Sequence, residues 1–293
     1  MKIIAYFVSP SRVVPSRPPS IPMPLSGPAT PESPPEVDGP STRDFYDALA
    51  PYYHLVYPDW DASIARQAAA LDAVIRAEAA GARTVLDVAA GIGTQSLGLA
   101  ALGYDVAASD LSPGAVRRLG DEATRRGLRI DARPADMRAA WEAHGRRFHV
   151  VLCADNALPH LLTDDDILQA LRELRRCTAP GGICLVSIRD YGAIDLQAQR
   201  LHPHGVREAD GARWIVFQLW DPHPPLYDTT MYVVEDHGGE TRTHAMRATY
   251  YALPVTCLLE LMREAGFRDV RRLADDAFYQ PLVIGRRGAD ADG

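Results

Sequence analysis

Thr84-Val-Leu-Asp87-Val-Ala-Ala-Gly91-Ile-Gly93-Thr94 reads as a strand that runs into a tight glycine turn and then a helix. The apolar run with β-branched Val85 and Val88 suits a strand buried on both faces. Gly91 and Gly93 permit backbone geometry that a Cβ would block, so the turn can bring its N–H groups close to a ligand. The odd residue is Asp87, a carboxylate near the end of an apolar strand, where burial is costly unless something pairs with it.

C-terminal to this stretch, strand and helix alternate. A helix from Gln95 to Leu102 ends at Gly103, and Tyr104 to Asp110 forms a second strand that also finishes in a carboxylate. Asp110 lies nineteen residues after Gly91, close to the spacing at which an acidic residue after the second strand accepts ribose hydroxyls. Pro113 starts a helix to Arg126, Leu128 to Ala132 is a third strand, and Ala135 to Arg138 is a loop. Phe148 to Ala154 is a fourth strand that opens into Asp155-Asn156-Ala157-Leu158-Pro159-His160. A helix over Asp164 to Thr178, the turn Pro180-Gly181-Gly182 and a fifth strand, Ile183 to Ile188, then deliver Arg189-Asp190-Tyr191. Polar residues just past the carboxyl ends of parallel strands are where open α/β sheets bind ligands.

The alternation then breaks. Trp214 to Trp220, Leu226 to Glu235 and Thr241 to Tyr251 predict a three-stranded antiparallel meander, followed by a helix over Leu253 to Gly266 and closing strands at Val270 to Leu273 and Pro281 to Gly285. The fold class is therefore α/β, a Rossmann-like, seven-stranded, mostly parallel sheet with helices on both faces and an antiparallel β cap inserted after strand five.

N-terminal to the opening stretch, Ala62 to Ala80 has helical spacing, and Thr42 to Trp60 is aromatic and broken by Pro51 and Pro58 into two short helical pieces. Those rings either pack this segment onto the body or form a lid over a bound cation and its acceptor. Eleven of the 23 prolines fall in Met1 to Pro40, which reads as a flexible arm. The predicted division is 1–40 arm, 41–80 helical lid and 81–287 ligand-binding domain, with the cap at about 193–251.

The 293 residues, 47% of them hydrophobic, are enough for one substantial domain and a tail. The formal charge is −7, and no run of Lys or Arg follows a phosphate backbone, so nucleic acid is not an expected partner. Cys153, Cys177, Cys184 and Cys257 form no CxxC pair and read as reduced core residues, with no metal expected. Ile3 to Val8 is too short for a signal core or a membrane span, so no membrane association and a cytoplasmic location are expected. Assembly with copies of itself is left open.

A glycine turn after a first strand also serves nicotinamide dinucleotides, but their fingerprint needs G-x-G-x-x-G. Here Gly91-Ile-Gly93-Thr-Gln-Ser96 carries Ser at the third glycine, and Asp87 would repel a pyrophosphate while suiting a cation. Val85 to Gly93, then Asp110, Asp136-Met137 and Pro180-Gly181-Gly182, resemble in order the motifs of class I S-adenosylmethionine-dependent methyltransferases, over about Phe45 to Arg287. Ala89 departs from the family, standing where it often has its first glycine. The resemblance implies donor binding by Asp87, Ala89, Gly91, Gly93, Leu111 and Cys153, ribose binding by Asp110, and adenine contact by Asp136 with Met137. S-adenosylhomocysteine would be the product.

Cys153-Ala-Asp-Asn156-Ala-Leu-Pro-His160-Leu, Ile188-Arg189-Asp190-Tyr191 and Tyr250-Tyr251 look like the glycine and sarcosine N-methyltransferase group. In that group the matching Asn and Arg hold the carboxylate of an amino-acid acceptor. Arg189 suits this because a guanidinium grips a carboxylate with two parallel hydrogen bonds; its alternative is a surface pair with Asp190. The acceptor-facing candidates are Asn156, His160, Arg189, Tyr191, Tyr53, Trp220, Tyr251 and Tyr279, with His160, Tyr57 and Arg189 as catalytic candidates. His160 is either a base or a loop-holding residue, and each tyrosine either faces the site or packs. The aromatic meander allows a larger acceptor than glycine. Methylation of a small-molecule amine, in amino-acid or specialised metabolism, is the expected activity. Carbon methylation of an indole, oxygen methylation, and a non-catalytic S-adenosylmethionine sensor are the alternatives.

Overall fold

The structure, a computed structural model, describes residues 41–209 and 211–289. The arm expected at 1–40 lies outside the described residues. Seven strands form the main sheet: β1 (Thr84–Asp87), β2 (Asp105–Asp110), β3 (Ile130–Pro134), β4 (Phe148–Cys153), β5 (Thr178–Ser187), β10 (Arg268–Arg272) and β11 (Leu282–Arg286). Their order is β10-β11-β5-β4-β1-β2-β3. β1 to β5 pair in parallel, and β11 runs antiparallel to both of its neighbours.

Alternation along the buried strands sorts side chains onto two faces. Val85, Val106, Val150 and Leu152 pack under α2 (Trp60–Glu78) and α3 (Thr94–Ala101) through Leu71, Ile75 and Leu99. Leu86, Ala107, Val151 and Cys184 face the other way, onto α6 (Asp164–Cys177) and α7 (Val255–Glu264) through Leu171, Leu174, Leu258 and Met262. α4 (Pro113–Arg125) packs beside β2 through Leu119, which sits against Ala108.

The cap is a four-stranded antiparallel sheet, not the expected three-stranded meander. β7 (Ala212–His223), β8 (Leu226–Asp236) and β9 (Thr241–Tyr251) are joined at the edge by β6 (Leu201–Ala209). Pro203 and Gly205 hide β6 in the sequence, and the ladder shifts register between them. An edge strand tolerates both because one side of its backbone needs no ladder partner. This strand matters to the site, because Arg207 donates to the Tyr57 carbonyl at 2.8 Å.

Other boundaries move for local reasons. α2 starts at Trp60, before Ala62, because the Asp59 side chain caps it by accepting from the Ala62 N–H at 2.9 Å. The predicted loop after β3 is helical, a 3₁₀ turn at Met137–Ala139 leading into α5 (Ala140–His144). Pro180-Gly181-Gly182 is a bulge within β5, since Phe148 pairs with Thr178 but Val150 with Ile183. Between α1 (Thr42–Leu49) and α2 lies a 3₁₀ turn, Tyr53–Val56, so the aromatic segment forms two short helical pieces.

α2 and α3 touch through Gly98, where a Cβ would lie 2.5 Å from the Ala68 Cβ and 2.8 Å from the Ile64 carbonyl oxygen. Overpacking at a backbone contact outweighs the gain in helix propensity. Gly98→Val should lower unfolding stability by about 1–3 kcal/mol in urea denaturation.

Candidate active site

The glycine turn is held from both sides. Gly91 and Gly93 have φ of 52° and 97°, in the left-handed region. A Cβ on Gly91 would come within 3.3 Å of the Tyr53 ring. The Asp110 carboxylate accepts from the Gly91 N–H at 2.8 Å and the Ser112 N–H at 2.9 Å, joining the ends of β1 and β2. Burial raises the pKa of Asp110 against these two hydrogen bonds. Leu111, beside it, is 38% exposed.

Asp87 is fully buried and accepts from the Ser96 hydroxyl at 2.7 Å and, more weakly, from the Ala89 N–H at 3.4 Å. Burial pushes its pKa up to about 7. Ser96, the residue that departs from the dinucleotide fingerprint, is therefore the partner of Asp87. Cys153 at the end of β4 is buried, and burial raises its thiol pKa. Asp136 accepts from the Arg138 N–H at 2.8 Å and pairs with the Arg138 guanidinium at 2.7 Å, which also reaches Asp166. Burial alone would raise the Asp136 carboxyl, but the Arg138 contacts hold it below its usual range. Met137 packs against the core beneath.

Past β4 the chain turns through two consecutive left-handed residues, Asp155 with φ 59° and Asn156 with φ 63°. Asn156 is buried; its Oδ1 accepts from the Arg189 N–H at 2.9 Å and its amide meets the Tyr191 hydroxyl at 2.9 Å. Tyr191 in turn lies 2.9 Å from the Tyr227 hydroxyl. The Arg189 guanidinium donates to the Tyr227 hydroxyl at 2.9 Å and sits 5.0 Å from the Trp220 ring centroid and 5.4 Å from that of Tyr250. Asp190 is not its partner, because Arg272 takes that carboxylate at 3.0 Å. No ion pair to Arg189 occurs among the described residues.

His160 Nε2 shares a 2.8 Å hydrogen bond with the Tyr46 hydroxyl, and its ring lies against Tyr250 at 3.9 Å between centroids. Burial lowers its pKa to about 3, against the pull of the Thr249 backbone. The imidazole is thus neutral and tied to α1, an arrangement that matches the loop-holding alternative for His160. Tyr57 donates to Asp155 at 3.3 Å and accepts from Thr94 at 3.3 Å. Tyr53 stacks beside Tyr57 with ring centroids 6.4 Å apart. Tyr279, 55% exposed, also donates its hydroxyl to Asp155.

The structure thus brings together Tyr53, Tyr57, Asn156, His160, Arg189, Tyr191, Trp220 and Tyr279 around the carboxyl ends of β1, β4 and β5. Tyr251 stands apart. Its side chain packs on the core that includes α7, and its pKa rises to about 12 through burial and the nearby Asp164. Strand alternation gives the reason, since Tyr250 turns inward and Tyr251 must turn away. Two central residues, Asp155 and Tyr250, are absent from the sequence candidates. The in-out rhythm of Met246, Ala248 and Tyr250 is the signal that would have selected the latter.

Asp87 is protonated more readily in the folded chain than in the unfolded one. Its contribution to stability is therefore full below the unfolded carboxyl range and is lost as pH rises through about 7. Without added ligand, Asp87→Asn should raise the melting temperature at pH 8 and change it less at pH 5, as read by thermal scans at both pH values.

A methyltransferase domain family matches residues 85–182. Glycine/sarcosine N-methyltransferase of Parasynechococcus marenigrum (strain WH8102) is 36% identical over 112 residues, 38% of this chain and 39% of that protein. The chain thus spans about two fifths of the length of that curated relative. The sugar N-methyltransferase KedS8 from Streptoalloteichus sp ATCC 53650 shares the fold, with a TM-score of 0.66 at 19% identity over 90% of this chain and 99% of that one. The CcbJ methyltransferase from Streptomyces caelestis has a TM-score of 0.63 at 25% identity, covering 84% and 98%. With the strand order and the glycine turn already described, these similarities show a methyltransferase domain over residues 85–182, set in a fold shared with methyltransferases of known structure.

Proposed function

We propose that this chain methylates an amine nitrogen of a small, amino-acid-like acceptor, using S-adenosylmethionine. The observation that carries the reading is the half-buried Arg189, boxed by Trp220, Tyr227 and Tyr250 without an ion-pair partner among the described residues, just beyond a turn lined by Asp87 and Asp110. A guanidinium in that setting attracts a carboxylate. The relative named for glycine and sarcosine N-methylation supports the same acceptor class.

The donor fits the residues present. Neither Asp87 nor Asp110 makes an ion pair among the described residues, both are buried, and the space over Gly91 is one that a Cβ would narrow. Asp110 would take the ribose hydroxyls on its remaining lone pairs, and Asp136 with Met137 would border the adenine. When bound, the donor supplies a methyl group activated by a sulfonium. The chain's contribution is positioning: Arg189 and Asn156 would hold the acceptor's carboxylate end, and the Tyr46, Tyr53, Trp220 and Tyr250 rings would exclude water.

A tritium-labelled methyl donor, offered with amino acids, small amines and indoles, should place label on an amine nitrogen. Label on ring carbon or oxygen would overturn the acceptor assignment, and S-adenosylhomocysteine binding without any transfer would favour the sensor reading. Arg189→Lys should raise KM for carboxylate-bearing acceptors about tenfold or more, with donor affinity unchanged. Asp110→Ala should weaken S-adenosylhomocysteine binding about a hundredfold in calorimetry while the far-ultraviolet dichroism is retained.

A further inference from the structure

Asp155 is held by donors from three directions, yet no cation among the described residues forms an ion pair with it. One chain of donors runs toward it with a fixed direction. The Trp60 indole can only donate, and gives its N–H to the Thr94 hydroxyl at 2.9 Å. Thr94 then donates to the Tyr57 hydroxyl at 3.3 Å, and Tyr57 to Asp155 Oδ2 at 3.3 Å. A closed ring fixes the other side. The Asp155 N–H donates to the Ser187 hydroxyl at 2.8 Å, that hydroxyl to Gln280 Oε1 at 3.1 Å, and Gln280 Nε2 returns to Asp155 Oδ1 at 3.3 Å. Tyr279 donates to the same oxygen.

Every one of these partners is neutral. They orient the carboxyl group and supply no counter-charge. Burial raises the pKa of Asp155 and the charge of Arg189 works against that rise, yet the two form no ion pair among the described residues. Tyr57, which donates to Asp155, and Trp220 and Tyr250, whose rings lie against Arg189, belong to the aromatic segment and cap around the same strand ends. The backbone at Asp155 and Asn156 is left-handed at two successive non-glycine residues, a conformation that persists only where its surroundings over-determine it.

We propose that Asp155 is the residue that selects the acceptor's amine, accepting a hydrogen bond from its N–H at one pole of a cradle whose other pole is Arg189. This rests on the amino-acid-like acceptor of the proposed function and adds the group that distinguishes an amine from an alcohol of the same shape. Neutral donors aim the carboxylate, and a ligand ammonium or amine N–H supplies the partner it lacks. The cradle therefore favours molecules carrying both an amine and a carboxylate over those carrying either alone.

The test is calorimetry on the full chain saturated with S-adenosylhomocysteine. Two matched series serve as probes: glycine, methylamine and acetate, and L-phenylalanine, phenethylamine and 3-phenylpropanoate, with 2-phenylethanol as the neutral isostere of phenethylamine. Wild-type protein should bind the amino acid best in at least one series, and phenethylamine at least about tenfold more tightly than 2-phenylethanol. Asp155→Asn, which can keep the hydrogen-bonded ring, should weaken amine-bearing probes about tenfold and leave acetate and 3-phenylpropanoate unchanged. Arg189→Met should do the reverse. Equal loss for all probes in Asp155→Asn, loss of S-adenosylhomocysteine affinity instead, or no wild-type preference for phenethylamine over the alcohol would each overturn the proposal. The wild-type comparison stands even if the variant does not fold. Failure of wild-type protein to bind S-adenosylhomocysteine would instead overturn the proposed function beneath it.

Discussion

Two carboxylates hold the corner on which the site is built. Asp110 accepts from the Gly91 and Ser112 N–H groups, which fixes the ends of β1 and β2 against each other. Asp47, on α1, accepts from the Ser112 hydroxyl at 2.6 Å and the Gly114 N–H at 2.7 Å. One corner therefore sets the glycine turn, the start of α4 and the place of the aromatic segment together. The crevice at the carboxyl ends of the strands, where open α/β sheets bind ligands, takes its shape from these four hydrogen bonds.

The cap solves a different problem. A half-buried guanidinium is tolerable only when its donors are satisfied or its charge is compensated, and Arg189 has ring faces and one tyrosine hydroxyl in place of a counter-ion. β7, β8 and β9 deliver Trp220, Tyr227 and Tyr250 to it because alternate residues of an antiparallel sheet share a face. The same face packs on Phe45, Leu49 and Leu55, so cap and N-terminal segment form one hydrophobic cluster over the site.

The main sheet was legible because each of its central strands is an apolar run closed by a turn signal, and the order of helices and strands leaves few topologies. β6 was not legible, since Pro203 and Gly205 break the pattern that marks a strand and only pairing with β7 stabilises it. Arg189 and Asn156 could be singled out by type and place. Choosing between Tyr250 and Tyr251 required knowing which face of β9 turns inward, a property of the assembled sheet.

By itself the sequence determined the α/β framework and the glycine turn with its carboxylates, because these depend on residues close together in the chain. Only the tertiary structure decided that Ser96 partners Asp87, that Arg272 takes Asp190 away from Arg189, that His160 bonds to Tyr46, and that Asp155 stands held by neutral donors. With the exception of Ser96, nine residues from Asp87, these pairings join residues from about 80 to more than 120 positions apart. At such separations which donor meets which acceptor is set by how the sheet, cap and N-terminal segment pack, and that cannot be read from local pattern.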